Sequence, residues 1–170
     1  MRRRIAATER GNVRERQLAG AAAERYNHWP ASVIWGEAHD ANARTQGGVS
    51  GNAGLFGTAR GVLAIALAIL DGRSGLIGPE GRADMLRNFT EGLGEDRSAG
   101  FQVATTPGSA AGPALSSRAV GHTGFTGTSL WIEPETRRVF VLLANRVHPD
   151  FRELDMNRLR REFHALAAGI

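Results

Sequence analysis

The segment VGHTGFTGTSLWIEPETRRVFVLLA, residues 120–144, gives the clearest indication of the fold. It holds two runs rich in β-branched, aromatic and other apolar residues, 120–132 and 137–144. The turn Glu133-Pro-Glu-Thr136 separates them. Two such runs around a short turn that contains proline predict an antiparallel β-hairpin. The bulky residues of the hairpin, Trp131 and Phe140, are predicted to lie in the core.

Helical patterns precede this hairpin. Residues 62–70 are apolar without a break, and a helix that is apolar on every side predicts burial on every side. Thr58 is a suitable N-cap for it. Pro79 predicts the first turn of another helix that runs to about Phe89. A helix over residues 13–25 and a short strand near residues 101–104 complete the pattern.

A last helix is predicted after Pro149-Asp150, which we expect to cap it. Its apolar residues recur at a spacing that approximates one helical face. The residues on that predicted face are Phe151, Leu154, Leu159, Phe163 and Leu166.

A glycine-rich segment lies upstream of these elements. GEAHDANA, residues 36–43, leads into GGVSGNAGLFG, residues 47–57. So much glycine argues against a regular helix or strand and predicts a loop whose backbone packs closely. His39, Asp40 and Asn42 suggest a metal site or a catalytic triad. We favour the alternative that they hold the glycine loop through side-chain-to-backbone hydrogen bonds.

Composition excludes several kinds of chemistry. A length of 170 residues predicts one domain, and the chain has no cysteine. Disulfides, thiolate metal sites and cysteine nucleophiles are therefore excluded. All 21 basic residues are arginine and none is lysine. This excludes a lysine Schiff base, a P-loop lysine and a lysine general base.

Charge and hydropathy make nucleic-acid and membrane partners unexpected. The 21 basic and 17 acidic residues are well mixed, and the short arginine clusters at 2–4 and 158–161 are typical of solvated faces. The longest apolar run, 62–70, is far shorter than the ~20 residues that span a bilayer. No apolar region follows the arginines after Met1, so no signal peptide is predicted. As encoded, the chain is expected to be soluble and cytoplasmic, with its compartment otherwise open.

Two segments resemble the serine β-lactamase and penicillin-binding-protein superfamily, in particular its class C-like serine hydrolases and esterases. The first is the glycine-rich segment 36–59 with the helix that follows it. The second begins at His122-Thr-Gly124 and continues through VLLANRVHP, residues 141–149. The His-Thr-Gly element is similar to the superfamily's third motif, Lys/His-Thr-Gly, on the edge strand of its central sheet. The resemblance covers most of this chain but only the C-terminal half of such a domain.

The resemblance implies an α+β fold in which an antiparallel sheet, including the hairpin, packs with helices and is incomplete. We expect a single partial domain over residues 1–170. Residues 1–35 would form a connecting segment, and 36–89 the glycine-rich loop and buried helices. Residues 99–170 would form the hairpin and the C-terminal helix.

The resemblance also implies roles for four consecutive residues. His122 and Thr123 would line the pocket, where they hydrogen-bond a substrate carboxylate or relay protons. Gly124 would let substrate approach the strand, since it has no Cβ. The backbone amide of Phe125 would donate to the oxyanion of an acyl-transfer intermediate. No cofactor or metal is expected.

The superfamily's nucleophile motif, Ser-x-x-Lys, cannot occur in these residues, because they contain no lysine. We therefore expect the C-terminal portion of a serine hydrolase of ester, amide or β-lactam-like substrates, inactive unless an N-terminal half complements it. Two alternatives stay open at this point. One is a non-catalytic module that binds a peptide or another ligand, and the other is a non-functional truncated remnant.

Overall fold

A computed structural model describes residues 4–72 and 75–169 of the chain. Arg2 and Arg3 of the first arginine cluster lie outside these residues. The described residues form two compact units. The N-terminal unit comprises residues 4–57 and 145–154, and the sheet unit comprises 58–72, 75–144 and 155–169.

The N-terminal unit contains short helices joined by extended segments. Helix α1, Val13–Ala19, continues into a 3-10 helix, Gly20–Arg25, so the helical prediction for residues 13–25 is confirmed with a change of helix type. Helix α2 spans Ala41–Thr45. The Thr8 amide donates to the Ile34 carbonyl at 2.8 Å, which ties the start of the unit to the segment before the glycine-rich loop.

Four antiparallel strands build the sheet unit. They are β1 (Gln102–Val103), β2 (Val120–Thr123), β3 (Ser129–Glu133) and β4 (Arg138–Leu142). Their spatial order is β1-β2-β3-β4. The predicted hairpin is confirmed as β3–β4, in which Trp131 pairs with Phe140.

The predicted first run, residues 120–132, is two strands rather than one. A turn over residues 124–128 separates β2 from β3, and the Gly124 amide donates to the Thr128 carbonyl at 2.8 Å. Gly127 has φ +115°, a conformation that only glycine adopts without strain. Gly127 is therefore a turn residue.

Helices cover both faces of this sheet. Helices α3 (Ala59–Asp71) and α4 (Pro79–Leu86) contribute to a core with Val120 and Ile132. Helix α5 (Met156–Ala168) and the segment 104–119 pack against Trp131 and Phe140. Because successive strand residues point to opposite faces, Trp131 and Ile132 belong to the two different layers. The α+β class with an antiparallel sheet is confirmed, whereas the division into three segments stays a prediction.

A missing side chain on β2 makes room for the largest core residue. A Cβ built on Gly121 would lie 2.3 Å from the Leu130 carbonyl oxygen and 2.4 Å from Cδ2 of Trp131. The Trp131 indole therefore lies directly against the β2 backbone and is fully buried. This confirms the prediction that Trp131 and Phe140 are core residues.

Helix α3 is buried on one face only, which corrects the prediction of burial all round. Ala66, Ile69 and Leu70 are buried, whereas Ile65 is 54% exposed. The sheet unit covers only the face of α3 that carries Ala66, Ile69 and Leu70, so apolar side chains on its other faces contact solvent. The Thr58 cap is confirmed, because its hydroxyl oxygen accepts from the Gly61 amide at 3.1 Å.

Helix α5 differs from its prediction in both start and buried face. It begins at Met156, since the Asp155 carboxylate accepts from the Arg158 amide at 2.9 Å and caps it there. Its buried residues are Met156, Arg160 and His164, whereas Leu159 and Leu166 are exposed. Arg160 is therefore no part of a solvated face. Each buried polar residue donates to a backbone carbonyl outside the helix, which offsets part of its desolvation.

Arginine side chains also bind the carbonyl ends of two helices. The Arg82 guanidinium on α4 donates to the carbonyls of Ile69 and Leu70 in the last turn of α3. Arg138 on β4 donates to the Ala168 carbonyl at the end of α5, at 2.7 Å. The last carbonyls of a helix have no partner within the helix, so both contacts stabilise helix ends and link neighbouring elements.

The close approach at Gly121 predicts a sharp difference between two glycines. Gly121→Ala should lower the free energy of unfolding by about 1–3 kcal/mol, because the new methyl group collides with backbone and with a packed indole. Gly61→Ala is the matched control in the same unit, where an added Cβ meets only ordinary contacts. It should leave stability unchanged or raise it by up to ~1 kcal/mol, since it lies within a helix. Urea unfolding measures both, and equal stability of the two variants would contradict the described packing.

His164 lies in the aromatic core of the sheet unit. Its ring is fully buried beside Trp131, Phe140 and Phe163. Nδ1 lies 3.0 Å from the Ala111 carbonyl oxygen, which can only accept, so Nδ1 carries the proton. Burial lowers the pKa of His164 below its usual 6.5, and the nearby Arg160 charge acts in the same direction. The folded protein therefore holds a neutral imidazole here.

This lowered pKa predicts an acid-dependent loss of stability. Below about pH 6.5 the unfolded chain binds a proton that the folded chain does not, so the stabilisation is complete above that pH and falls as the pH drops toward the folded pKa. His164→Leu should reduce the slope of stability against pH between 7 and 5. Phe163→Leu, a neighbouring core change without a titrating group, should keep it. Thermal unfolding across this pH range tests the pair, and identical slopes in both variants would refute the assignment.

Candidate active site

The four predicted site residues lie at the end of β2 and in the turn that follows. His122 pairs with Leu130 and Thr123 with Ser129 across the β2–β3 ladder. On the other side, β1 pairs only with Val120 and Gly121. The predicted edge strand is therefore interior by strand order. Within the described strands, however, its His122–Thr123 half has no ladder partner on that side, and the His122 side chain is exposed there.

The two ring nitrogens of His122 have different partners. Nε2 lies 3.3 Å from Nη1 of Arg97, which can only donate, and Nδ1 lies 3.0 Å from the Thr123 carbonyl oxygen, which can only accept. These partners assign the proton to Nδ1 and the lone pair to Nε2. The imidazole is exposed and bears a guanidinium on its acceptor nitrogen.

Hydrogen bonds around Asp96 hold the segment that carries Arg97. The Asp96 carboxylate accepts from the Thr105 hydroxyl and from the Asn88 amide, and these bonds, that from Thr105 first, lower the pKa of Asp96. The Val103 amide of β1 donates to the Asp96 carbonyl at 2.8 Å. Arg97 itself pairs with Glu95 at 2.7 Å. Arg97 is thus attached to the short edge strand and contacts His122 from there.

The turn after Thr123 places the Gly124–Phe125 peptide outside the strand. Phe125 was predicted as the oxyanion donor of the strand, and the structure places it in the turn, two residues beyond the end of β2. The Gly127 amide donates to the Gly124 carbonyl at 3.0 Å and closes the turn. A Cβ on Gly124 would lie 2.3 Å from Oγ1 of Thr128. The lack of a side chain at Gly124 therefore has a packing reason in addition to the predicted access for substrate.

Sequence reasoning missed the residue that holds this turn. The Arg160 side chain extends from α5 and donates through Nη2 to the carbonyls of Gly124 and Thr128, both at 2.9 Å. Arg160 is 4% exposed. The signal that could have found it is its spacing of four residues from both Met156 and His164, which places all three on one helical face.

His39, Asp40 and Asn42 belong to the N-terminal unit. His39 is buried, and its Nε2 lies 3.0 Å from Oε2 of Glu9. Asp40 caps α2 by accepting from the Ala43 amide at 2.7 Å, and the Asn52 amide reaches it from the glycine-rich loop at 3.4 Å. Asp40 therefore makes a side-chain-to-backbone hydrogen bond of the expected type, but within α2, and its bond with the glycine-rich loop is to the Asn52 side chain. Carboxylates are among the partners of the His39 ring.

A second carboxylate lies near the other ring nitrogen of His39. Oε1 of Glu15 lies 3.8 Å from its Nδ1. Burial raises the pKa of Glu15, although hydrogen bonds from the Ala41 amide and Asn12 oppose the rise. In the described part of the chain, no three His, Asp or Glu side chains converge so as to hold a metal ion. The cluster is a structural link within the unit.

Comparison with known proteins identifies the class. A family model described as Beta-lactamase matches residues 2–165. The chain therefore belongs to the β-lactamase family, which confirms the resemblance to the serine β-lactamase and penicillin-binding-protein superfamily.

Curated relatives come from enteric bacteria. This chain is 32% identical over 155 residues to a protein of Escherichia coli K12 named "Putative D-alanyl-D-alanine carboxypeptidase", a match that covers 85% of this chain and 33% of the relative. A Salmonella typhi protein of the same name is 32% identical over 160 residues, with the same coverage. The chain spans about a third of the length of these relatives.

A solved structure shows the same fold. The crystal structure of a β-lactamase from Mycobacterium bovis superimposes with a TM-score of 0.54 at 20% identity. The superposition covers 69% of this chain and 47% of that chain. Among the described residues, no helix combines the length and apolarity needed to cross a bilayer.

The hydrogen bonds of His122 predict one tautomer. At pH 8 the ring should carry its proton on Nδ1, because Arg97 donates to Nε2, and a bond worth about 1 kcal/mol gives a several-fold preference. Arg97→Leu should raise the share of the Nε2–H form, whereas Arg87→Leu, at an arginine paired with Asp84, should not. Long-range 1H–15N spectra of the imidazole distinguish the two forms. A dominant Nε2–H form in the unmodified chain would disprove the assignment.

Proposed function

We propose that this chain supplies the third-motif wall of a β-lactamase-family acyl-transfer site whose serine nucleophile is carried by another segment. The observation that carries the proposal is the His122-Thr-Gly-Phe125 element at the half-open end of β2. Substrates would be esters or amides, including β-lactams and, by analogy with the names of the relatives, D-alanyl-D-alanine peptides. The preceding motif Ser-x-x-Lys would come from outside these residues, which contain no lysine.

In this role each site residue performs a distinct task. The serine would attack the acyl carbon, and the carbonyl oxygen would become negative in the tetrahedral intermediate. The Phe125 amide would donate to that oxygen, and the serine's own amide would be the second donor. Preorganised donors of this kind are a large part of acyl-transfer catalysis. The uncovered edge at His122 and Thr123 would align the substrate backbone as an added strand.

The polar groups near His122 would bind an anionic part of the substrate. Arg97 brings a positive charge to the ring of His122, and the Thr123 side chain is half-buried at the same strand end. A carboxylate could accept from these donors. His122 would serve as a proton relay only after Arg97 leaves its Nε2, because the lone pair that would take the proton is the one that accepts from Arg97.

The opposite edge of the sheet supports the need for another segment. β4 is the outermost strand, and a groove of about 600 Å³ runs along it between α3 and α5. Its lining is mostly apolar and includes Leu63, Val139, Val141, Phe163 and Ala167. Open edges of this kind pair with further strands. We infer that the rest of the domain joins the chain here.

Exposed apolar side chains on both flanking helices fit the same inference. They include Leu63, Ile65 and Leu67 on α3 and Leu159 and Leu166 on α5. Leaving a few hundred Å² of apolar surface in water costs roughly 5–10 kcal/mol at ~25 cal/mol per Å², which is comparable to the stability of a domain. The chain alone should therefore be less stable than its assembly with a complement.

Complementation tests this function. The chain alone should gain no mass from a penicillin and should hydrolyse p-nitrophenyl acetate no faster than its heat-denatured control. Co-expression with a family segment that carries Ser-x-x-Lys should produce both activities. The same segment with its serine replaced by alanine is the matched control.

Three results would oppose the proposal. Acylation of the chain alone would show a nucleophile within it. An assembly that forms on size exclusion but never reacts would exclude the acyl-transfer role. Saturable binding of peptide or β-lactam by the chain alone, without reaction in any assembly, would favour a binding module instead.

A further inference from the structure

The proposed acyl-transfer steps assign no role to the buried guanidinium of Arg160. It reaches from the middle of α5 to the neck of the β2–β3 turn. Its Nη1 donates to Oδ1 of Asn157 at 3.0 Å, which fixes the orientation of the guanidinium plane. The two carbonyls that it binds, those of Gly124 and Thr128, also accept the amides of Gly127 and Gly124 that close the turn. Arg160 thus supplies a second donor to each of the two carbonyls that close the turn.

We propose that Arg160 is a positioning residue that sets the direction of the Phe125 amide. This inference rests on the proposed function, in which that amide is an oxyanion donor. The Gly124 carbonyl and the Phe125 N–H belong to one peptide group, which is planar and trans. The carbonyl and the N–H of such a group point in opposite directions. By holding the carbonyl toward α5, Arg160 directs the N–H away from α5.

The same contact makes the amide a better donor. A cation that donates to the carbonyl oxygen polarises the peptide group, and hydrogen bonds in series strengthen one another. The effect is larger in a site removed from water, as Arg160 is. Arginine suits the task because its planar fork presents several donors in fixed geometry, whereas a lysine ammonium is a single flexible point charge.

The first arm of the test uses the chain alone. Arg160→Met removes the donors and keeps a similar length, and Arg160→Lys keeps the charge without the fork. Arg158→Met is the matched control, at a side chain 67% exposed on the same helix. Assigned 1H–15N spectra should show the largest amide shift change outside α5 at Phe125 in both Arg160 variants. The {1H}–15N NOE at residues 125–127 should fall as well.

Each outcome of this arm decides the proposal. A Phe125 amide that does not move in a folded Arg160→Lys or Arg160→Met chain overturns it. Equal changes across the whole sheet unit, such as at Trp131 and Phe140, also overturn it, because they would show a merely structural role. If Arg160→Met fails to fold, Arg160→Lys alone decides.

The second arm uses the assembly that carries Ser-x-x-Lys. Arg160→Lys should lower kcat about ten- to a hundredfold with KM within about twofold, because a misdirected donor affects the transition state and not substrate binding. An unchanged kcat overturns the positioning role. If the assembly with the unmodified chain is inactive, the proposed function fails. The spectra of the first arm still show whether Arg160 directs the Phe125 peptide.

Discussion

The missing side chain at Gly121 is the constraint on which the sheet unit depends. It lets the Trp131 indole lie against the β2 backbone, and the indole then forms the surface on which α5 packs through Phe163 and His164. The docked helix in turn brings Arg160 to the neck of the turn after His122-Thr-Gly. One close approach inside the core is therefore connected, through successive contacts, to the shape of the candidate site, which begins at the next residue of β2 and continues into the turn.

The sequence predicted those parts of this arrangement that depend on local pattern. The apolar runs and the proline-containing turn were sufficient for the β3–β4 hairpin, and the Thr58 cap for the start of α3. The division of residues 120–132 into two strands was missed, because glycine and threonine are compatible with both a strand and a turn. Only the pairing of Gly124 with Thr128 decides between them.

The errors on α5 and α3 have a different origin. The spacing of apolar residues indicates only an apolar face, whereas the buried face of α5 contains the polar residues Arg160 and His164. These are stable there because carbonyls from distant segments accept from them, and no local pattern reveals such partners. On α3 the apolar pattern correctly indicates a preference for burial. The described residues satisfy that preference only around Ala66, Ile69 and Leu70. The site residues themselves belong to a sequence motif, whereas the roles of Arg97 and Arg160 depend on contacts between segments distant in sequence.

The exclusive use of arginine as the long basic side chain has a consequence for chemical modification. Arg82, Arg138 and Arg160 each donate to backbone carbonyls that hold a helix end or a turn in place. Reagents that acylate side-chain amines have no target among residues 1–170, because none of these residues is lysine. Such a reagent therefore leaves these carbonyl contacts intact, together with the helix ends and the turn that they hold.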